Sequence, residues 1–132
     1  MGRSGHLDDP ITGQHLTFVR TGPETEGELL RVEVRLDAGG RVPGHAHLRQ
    51  DERLEVIAGS VIARVGGRNH ELRPGDSLDV PRRRLHAIRN AAENEARLLL
   101  DVRPARRMEQ TMRTLFAAMR FVNRVLPRGP RR

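Results

Sequence analysis

Three histidines and one carboxylate in this chain have the residue types and spacing of a metal site. His45 and His47 are two residues apart, Glu52 follows five residues later, and His86 lies further along. Neutral imidazole binds Fe, Ni, Cu and Zn, and a carboxylate adds a hard anionic donor. The set indicates a site for one divalent transition metal, and Fe, Mn, Ni and Zn are the candidates.

Alternation along β-strands would bring these groups to one face. Residues two apart on a strand point to the same side, so His45 and His47 can share an ion. Glu52 is an odd number of residues further on, so the polar stretch 48–51 must contain a turn or bulge. Alternation along the next strand keeps Glu52 inward and places the competing Glu55 on the outer face. A shared cation would offset the cost of burying four polar groups.

Residues 16–103 as a whole have the pattern of short strands separated by turns. Apolar and polar residues alternate over 30–36 and again over 96–102, which places one face on a core and the other in water. Seven or eight short, evenly spaced strands predict an all-β sandwich or barrel. An N-terminal segment at 1–15 precedes it.

The pattern changes after Pro104. Apolar residues at helical spacing predict an amphipathic C-terminal helix within 104–126, followed by a basic tail at 127–132. The apolar stripe favours packing on the outside of the barrel or on a second subunit. Binding to an anionic membrane surface or to nucleic acid is the less favoured alternative.

The formal net charge of +7 belongs to the C-terminal segment. Residues 103–132 hold nine arginines and one acid, which gives +8, whereas the preceding residues hold 15 arginines and 16 acids, which gives −1. The chain also has no Tyr or Trp and only three Phe, so the aromatic stacking that holds single-stranded nucleic acid is scarce. We therefore do not expect nucleic acid as a partner.

Residue types that are missing exclude several kinds of chemistry. The chain has no cysteine, which rules out disulfides, thiolate metal sites and cysteine nucleophiles, and it has no lysine for Schiff-base chemistry. No segment approaches the roughly 20 apolar residues of a membrane span, and the N-terminus lacks the apolar stretch of a signal peptide. We expect one domain in a soluble, cytoplasmic protein that does not bind membranes.

Two motifs in the chain resemble those of the cupin family. The first is a glycine, then His-x-His, then a glutamate and a closing glycine, and it is matched by Gly39, His45, His47, Glu52 and Gly59. Because the order and the spacing both agree, this first motif places the paired histidines and Glu52 in one known pattern.

The second cupin motif follows in the correct order. It is matched by Gly75, Pro81, His86 and Asn90, while Arg83 stands where the family usually has glycine. This departure leaves the histidine and glutamate pattern intact and changes the turn before His86.

The resemblance implies a double-stranded β-helix, which is the jelly-roll cupin barrel, with the C-terminal α-helix outside it. It also implies that His45, His47, Glu52 and His86 are the metal ligands, and that an octahedral ion keeps two positions for substrate, water or O₂. Glu52, if released from the ion, is the candidate catalytic residue for proton transfer. A homodimer is expected on the same resemblance.

Three residues near these ligands are weaker candidates. Gln50 could reach an open metal position, and Asp51 could support its neighbour Glu52. Arg83 belongs to a run of three arginines that could recognise an anion at the barrel rim, because arginine pairs bidentately with carboxylate or phosphate. A solvated turn is the simpler interpretation of that run.

The leading functional interpretation is a metal-dependent enzyme that acts on a small organic molecule. By resemblance it would be a dioxygenase, or an isomerase, epimerase or cyclase in a biosynthetic pathway. The alternative is a non-enzymatic, metal-containing cupin that binds or senses a small ligand. A cupin sensor is usually fused to a DNA-binding helix pair, and only one helix is predicted here.

Overall fold

Ten antiparallel strands, one short 3-10 turn and one α-helix form the part of the chain that the structure describes. The computed structural model describes residues 5–126, so the predicted basic tail at 127–132 lies outside the described residues. In chain order the elements are β1 (His6–Asp9), β2 (Gln14–Arg20), the 3-10 turn (Pro23–Thr25), β3 (Leu30–Leu36), β4 (Arg41–His45), β5 (Asp51–Ala58), β6 (Val61–Val65), β7 (Arg68–Leu72), β8 (Ser77–Val80), β9 (His86–Arg89), β10 (Ala96–Arg103) and α1 (Met108–Val125).

The strands form a six-stranded sheet and a four-stranded sheet. The first has the order β1-β2-β3-β10-β5-β8, and the second has the order β4-β9-β6-β7. β10 lies inside the larger sheet, where Leu98 is opposite Val34 on β3 and Val56 on β5. The all-β fold with a C-terminal helix that the sequence predicted is confirmed.

Apolar side chains from both sheets meet in one core. Every second residue of β3, from Leu30 to Leu36, is buried. The four-stranded sheet contributes Val61, Ala63 and Leu72 to the same cluster. Removal of these side chains from water is the main stabilising term, and it explains the alternation that marked β3 in the sequence.

The strand count differs from the predicted seven or eight, and two edge strands help to account for the difference. β1 and β7 each lie at the edge of a sheet. Each contains a single apolar residue, Leu7 in β1 and Leu72 in β7. Polar residues are usual on edge strands, so neither segment shows the alternation that identifies a strand.

β2 begins at Gln14, two residues before the expected boundary at 16.

Helix α1 packs on the barrel, which is one of the two locations expected for its apolar stripe. Met108 and Phe116 are its buried residues. The guanidinium carbon of Arg113 lies 4.8 Å from the centre of the Phe18 ring on β2. Within residues 5–126, no helix is long and apolar enough to cross a membrane.

Two residues of the cupin-like motifs shape the loops that follow β5 and β9, the strands that carry Glu52 and His86. Gly59 has a φ of 75°, and a Cβ there would lie 2.8 Å from the carbonyl oxygen of Glu95, so only glycine fits. The buried side-chain amide of Asn90 donates to the carbonyl oxygens of Leu36 at 3.2 Å and Asn94 at 2.8 Å. Asn90 thereby ties the loop after β9 to the end of β3.

Candidate metal centre

The four predicted ligands lie where β4, β5 and β9 approach one another. His45 ends β4 and is paired directly with His86 at the start of β9. His47 follows two residues later, and Glu52 is the second residue of β5. Glu52 is buried while its neighbour Asp51 is exposed, so alternation places the carboxylate inward as the sequence predicted. We call His45, His47, Glu52 and His86 the His/Glu cluster.

The side chains of the His/Glu cluster are close enough to share one ion. One potential ligand atom from each residue can be chosen so that all four lie within 4.8 Å of one another. The Nε2 atom of His47 contacts Glu52 Oε2, and the Nε2 atom of His86 lies 3.3 Å from Glu52 Oε1. The ring centres of His45 and His86 are 4.3 Å apart.

Backbone carbonyl groups orient two of the imidazole rings. Nδ1 of His45 lies 2.8 Å from the carbonyl oxygen of Pro43, and Nδ1 of His86 lies 3.0 Å from that of Arg84. A carbonyl oxygen only accepts, so each Nδ1 carries a hydrogen, and in the neutral ring each Nε2 keeps a lone pair for a metal. In metal sites, the ring nitrogen of a histidine that does not bind the metal commonly donates a hydrogen bond to such a carbonyl group.

The electrostatics of the site favour an ionised carboxylate. Burial opposes ionisation of Glu52, but its contacts with His47 and His86 outweigh that cost and lower its pKa to about 2. Burial also lowers the pKa of His45, which favours the neutral imidazole that a metal requires. For His86, burial is outweighed by Glu52 and the Arg84 carbonyl, and its pKa is raised.

One unpartnered atom tests whether the cluster fits a cation. Among residues 5–126, Nε2 of His86 is the only buried side-chain nitrogen or oxygen that makes no well-aligned hydrogen bond, although Glu52 Oε1 lies 3.3 Å away. Such atoms are rare and costly in proteins. Its lone pair faces Glu52 and the other two imidazoles, which is the donor set of a transition metal. The residues present therefore fit a divalent metal ion.

Gln50 and Asp51 make contacts that do not involve the His/Glu cluster. The side-chain amide of Gln50 donates to the carbonyl oxygens of Pro104 at 3.0 Å and Ala105 at 2.8 Å. The amide thus holds the segment that leads into α1 and does not reach an open metal position. Asp51 faces outward and accepts from the Arg82 backbone at 2.8 Å and from its guanidinium.

Arg83 supports the site through its backbone. It is exposed and has a φ of 69°, in the left-handed region. Its amide donates to the carbonyl oxygen of His47, so the turn before His86 is joined to the segment that carries His47. Arg83 does not line the cavity described next, and the arrangement matches a solvated turn better than an anion-binding rim.

A cavity of about 440 Å³ begins at the His/Glu cluster and is closed on one side by α1. The sheet provides aliphatic side chains, and the helix provides Met108, Met112, Phe116 and Met119. The sequence predicted a helix outside the barrel, with no connection to the site. The three methionines on one helical stripe were the available signal, because methionine is common on adaptable binding surfaces.

Comparison with known proteins identifies the family. A family model described as a cupin domain matches residues 32–102. The chain belongs to the cupin family. None of the curated proteins compared with this cupin matches it.

Solved structures show the same fold. KdgF from Halomonas sp. is 24% identical with a TM-score of 0.67, over 76% of this chain and 86% of that one. An RmlC-like cupin from Shewanella frigidimarina is 25% identical with a TM-score of 0.66, over 80% and 89%. A predicted oxalate decarboxylase from Thermotoga maritima is 16% identical with a TM-score of 0.68, over 77% and 96%. The predicted double-stranded β-helix is confirmed.

Proposed function

We propose that this cupin binds one divalent transition metal through the His/Glu cluster and catalyses a metal-dependent reaction of a small organic molecule. The observation that carries the proposal is the convergence of His45, His47, Glu52 and His86 on the wall of a largely apolar cavity. A bound ion would supply Lewis-acid chemistry or activation of O₂.

The protein's own residues would hold and shield the reacting group. The imidazoles of His45 and His86 are oriented by backbone carbonyls, and the apolar walls of the cavity exclude water from the reaction. Among the described residues, Glu52 is the one carboxylate in the His/Glu cluster, so a proton taken from the substrate would pass to one of its ionised oxygens. The fold does not select among reactions, since one fold hosts many chemistries.

The test uses metal-free protein reloaded separately with Fe²⁺, Mn²⁺, Ni²⁺ and Zn²⁺. Each form is incubated with a panel of oxygenated organic compounds while O₂ uptake and substrate loss are followed. Uptake only with Fe²⁺ or Mn²⁺ indicates a dioxygenase. Substrate loss with Zn²⁺ or Ni²⁺ without O₂ indicates an isomerase, epimerase or cyclase.

One observation favours the alternative of a non-enzymatic cupin that binds a small ligand. Apart from the His/Glu cluster, Asp9 is the only ionisable side chain among the described residues that line the cavity. Its carboxylate already accepts from Thr12 at 2.6 Å. Compounds that bind tightly and are recovered unchanged with every metal would contradict the enzyme and support the binding protein.

A further inference from the structure

The chain has 24 arginines and no lysine, and no arginine lies in the described wall of the cavity. Arginine is the usual partner of carboxylate and phosphate groups, because its planar fork pairs with two oxygens at once. A substrate with negative charge away from the metal would therefore find no partner in the cavity. Sugar phosphates, and dicarboxylates too long to chelate one ion through both carboxylates, are such molecules.

The polar residues at the far end of the cavity are occupied with one another. Asp9 is 2% exposed and accepts from the backbone of Ile11 at 2.9 Å and from the hydroxyl of Thr12 at 2.6 Å. Gln14 donates to the same hydroxyl at 2.9 Å. This end carries a negative group and contributes no cation, so it also disfavours an anion.

The rest of the wall is apolar and extends across four strands. Leu54 on β5, Leu100 on β10, Val34 on β3 and Leu16 on β2 all line it. Three steps between neighbouring strands correspond to up to about 14 Å. The cavity is thus longer than a two-carbon substrate requires.

Helix α1 covers this apolar wall with flexible side chains. Met112 and Met119 are half-buried and line the cavity, and Leu115 lines it while 55% exposed. Unbranched thioether side chains adapt to ligands of different shape. An apolar guest would remove both these side chains and its own surface from water.

We propose that the cavity binds an elongated, largely apolar molecule with a single oxygen-donor group at the end nearest the His/Glu cluster. The assignment of the donor end rests on the proposed function, whereas the apolar part depends only on the walls. Sugar phosphates and longer dicarboxylates would place a negative charge against these walls, so we do not expect them as substrates.

The first test is calorimetric titration of the zinc-loaded protein with a series of straight-chain alkyl hydroxamates, from acetohydroxamate to decanohydroxamate. Each added methylene that enters the cavity should tighten binding about threefold to fourfold, until the chain outgrows the cavity. Adipate and glucose 6-phosphate should bind more weakly than the octyl compound. A flat dependence on chain length, or tighter binding of either anion, would overturn the proposal.

A second series separates this proposal from the proposed function. Primary alcohols from butanol to decanol are titrated into metal-free protein, where the same gain per methylene is expected because the walls are unchanged. If longer alcohols bind more tightly but the protein binds no zinc, the metal-dependent function is refuted and the apolar site is supported. If the protein binds zinc but affinity does not rise with chain length in either series, only the apolar site is refuted.

Two variants on α1 locate the binding surface. Leu115→Asp places a charge on the cavity rim at a side chain already 55% exposed, so the fold should persist. Ala117→Asp places the same charge on an exposed position of α1 that does not line the cavity. Leu115→Asp should weaken the binding of decanohydroxamate at least tenfold and leave the binding of acetohydroxamate unchanged. Ala117→Asp should change neither affinity. Equal effects of the two variants would contradict a site under the helix.

Discussion

Arg83 shows how one residue can depart from a family motif and keep its local structure. Its φ of 69° is the left-handed conformation, which costs a residue other than glycine about 1–2 kcal/mol. Its amide nevertheless donates to the carbonyl oxygen of His47. The glycine usual at this position is explained by backbone conformation, and the arginine keeps the turn at an energetic cost.

Arg83→Gly should therefore stabilise the protein. Relief of the left-handed strain exceeds the added freedom of glycine in the unfolded chain, and the free energy of unfolding should rise by up to about 1 kcal/mol. Urea denaturation measures the change. Arg83→Ala is the matched control, because it removes the exposed side chain and keeps the Cβ. Equal stabilities of the two variants would show that the backbone of residue 83 is not strained.

At the scale of elements, the predicted parts are those with a repeating apolar pattern. β3 and β10 could be predicted because every inward side chain along them is apolar. β1 and β7 could not, since edge strands gain mainly backbone hydrogen bonds, which leave no mark on side-chain type. The apolar stripe of α1 showed which face would be buried but not the cavity that this face covers.

The edge strand β1 is held partly by a charged cluster on the outer face of its sheet. His15 on β2 bonds the carboxylates of Asp8 at 2.6 Å and Asp37 at 2.9 Å. Burial opposes the charge on His15, but the two carboxylates outweigh it and raise its pKa above the ordinary 6.5. The hydrogen bond from His15 lowers the pKa of Asp8 below 3.8. The cluster therefore links β1, β2 and the end of β3 in a pH-dependent way.

This cluster should make stability depend on pH. The contribution of His15 to stability is complete below the pKa of His15 in the unfolded chain and is lost as pH rises through its pKa in the folded protein. The contribution of Asp8 to stability is lost as pH falls through its lowered pKa in the folded protein. His15→Gln should lower the free energy of unfolding by up to about 1 kcal/mol near pH 5 and change it little near about pH 9. Urea denaturation measures both values. A cost that is the same at both pH values would contradict the ionic contribution.

At the scale of the whole molecule, the clustering of the three histidines with Glu52 could be predicted and the adjoining cavity could not. Glu52 faces inward by the alternation of β5, which the sequence records directly, whereas His47 lies in the segment after β4 and not on a strand as the sequence predicted. The cavity arises from the contact of α1 with the sheet, which depends on residues far apart in the chain. Gln50 illustrates the limit, because its neighbours suggested the metal while its amide binds the segment before α1. The homodimer stays a prediction.

Metal content tests the central claim most directly. After incubation with Fe²⁺, Mn²⁺, Ni²⁺ or Zn²⁺ and dialysis, the wild-type protein should retain about one ion per chain of at least one metal. His86→Ala should lose most of that ion because it removes the unpartnered Nε2, whereas His70→Ala, on β7 and outside the cavity, should retain it. A wild-type protein without metal after all four incubations, or full retention by the His86 variant, would contradict the account.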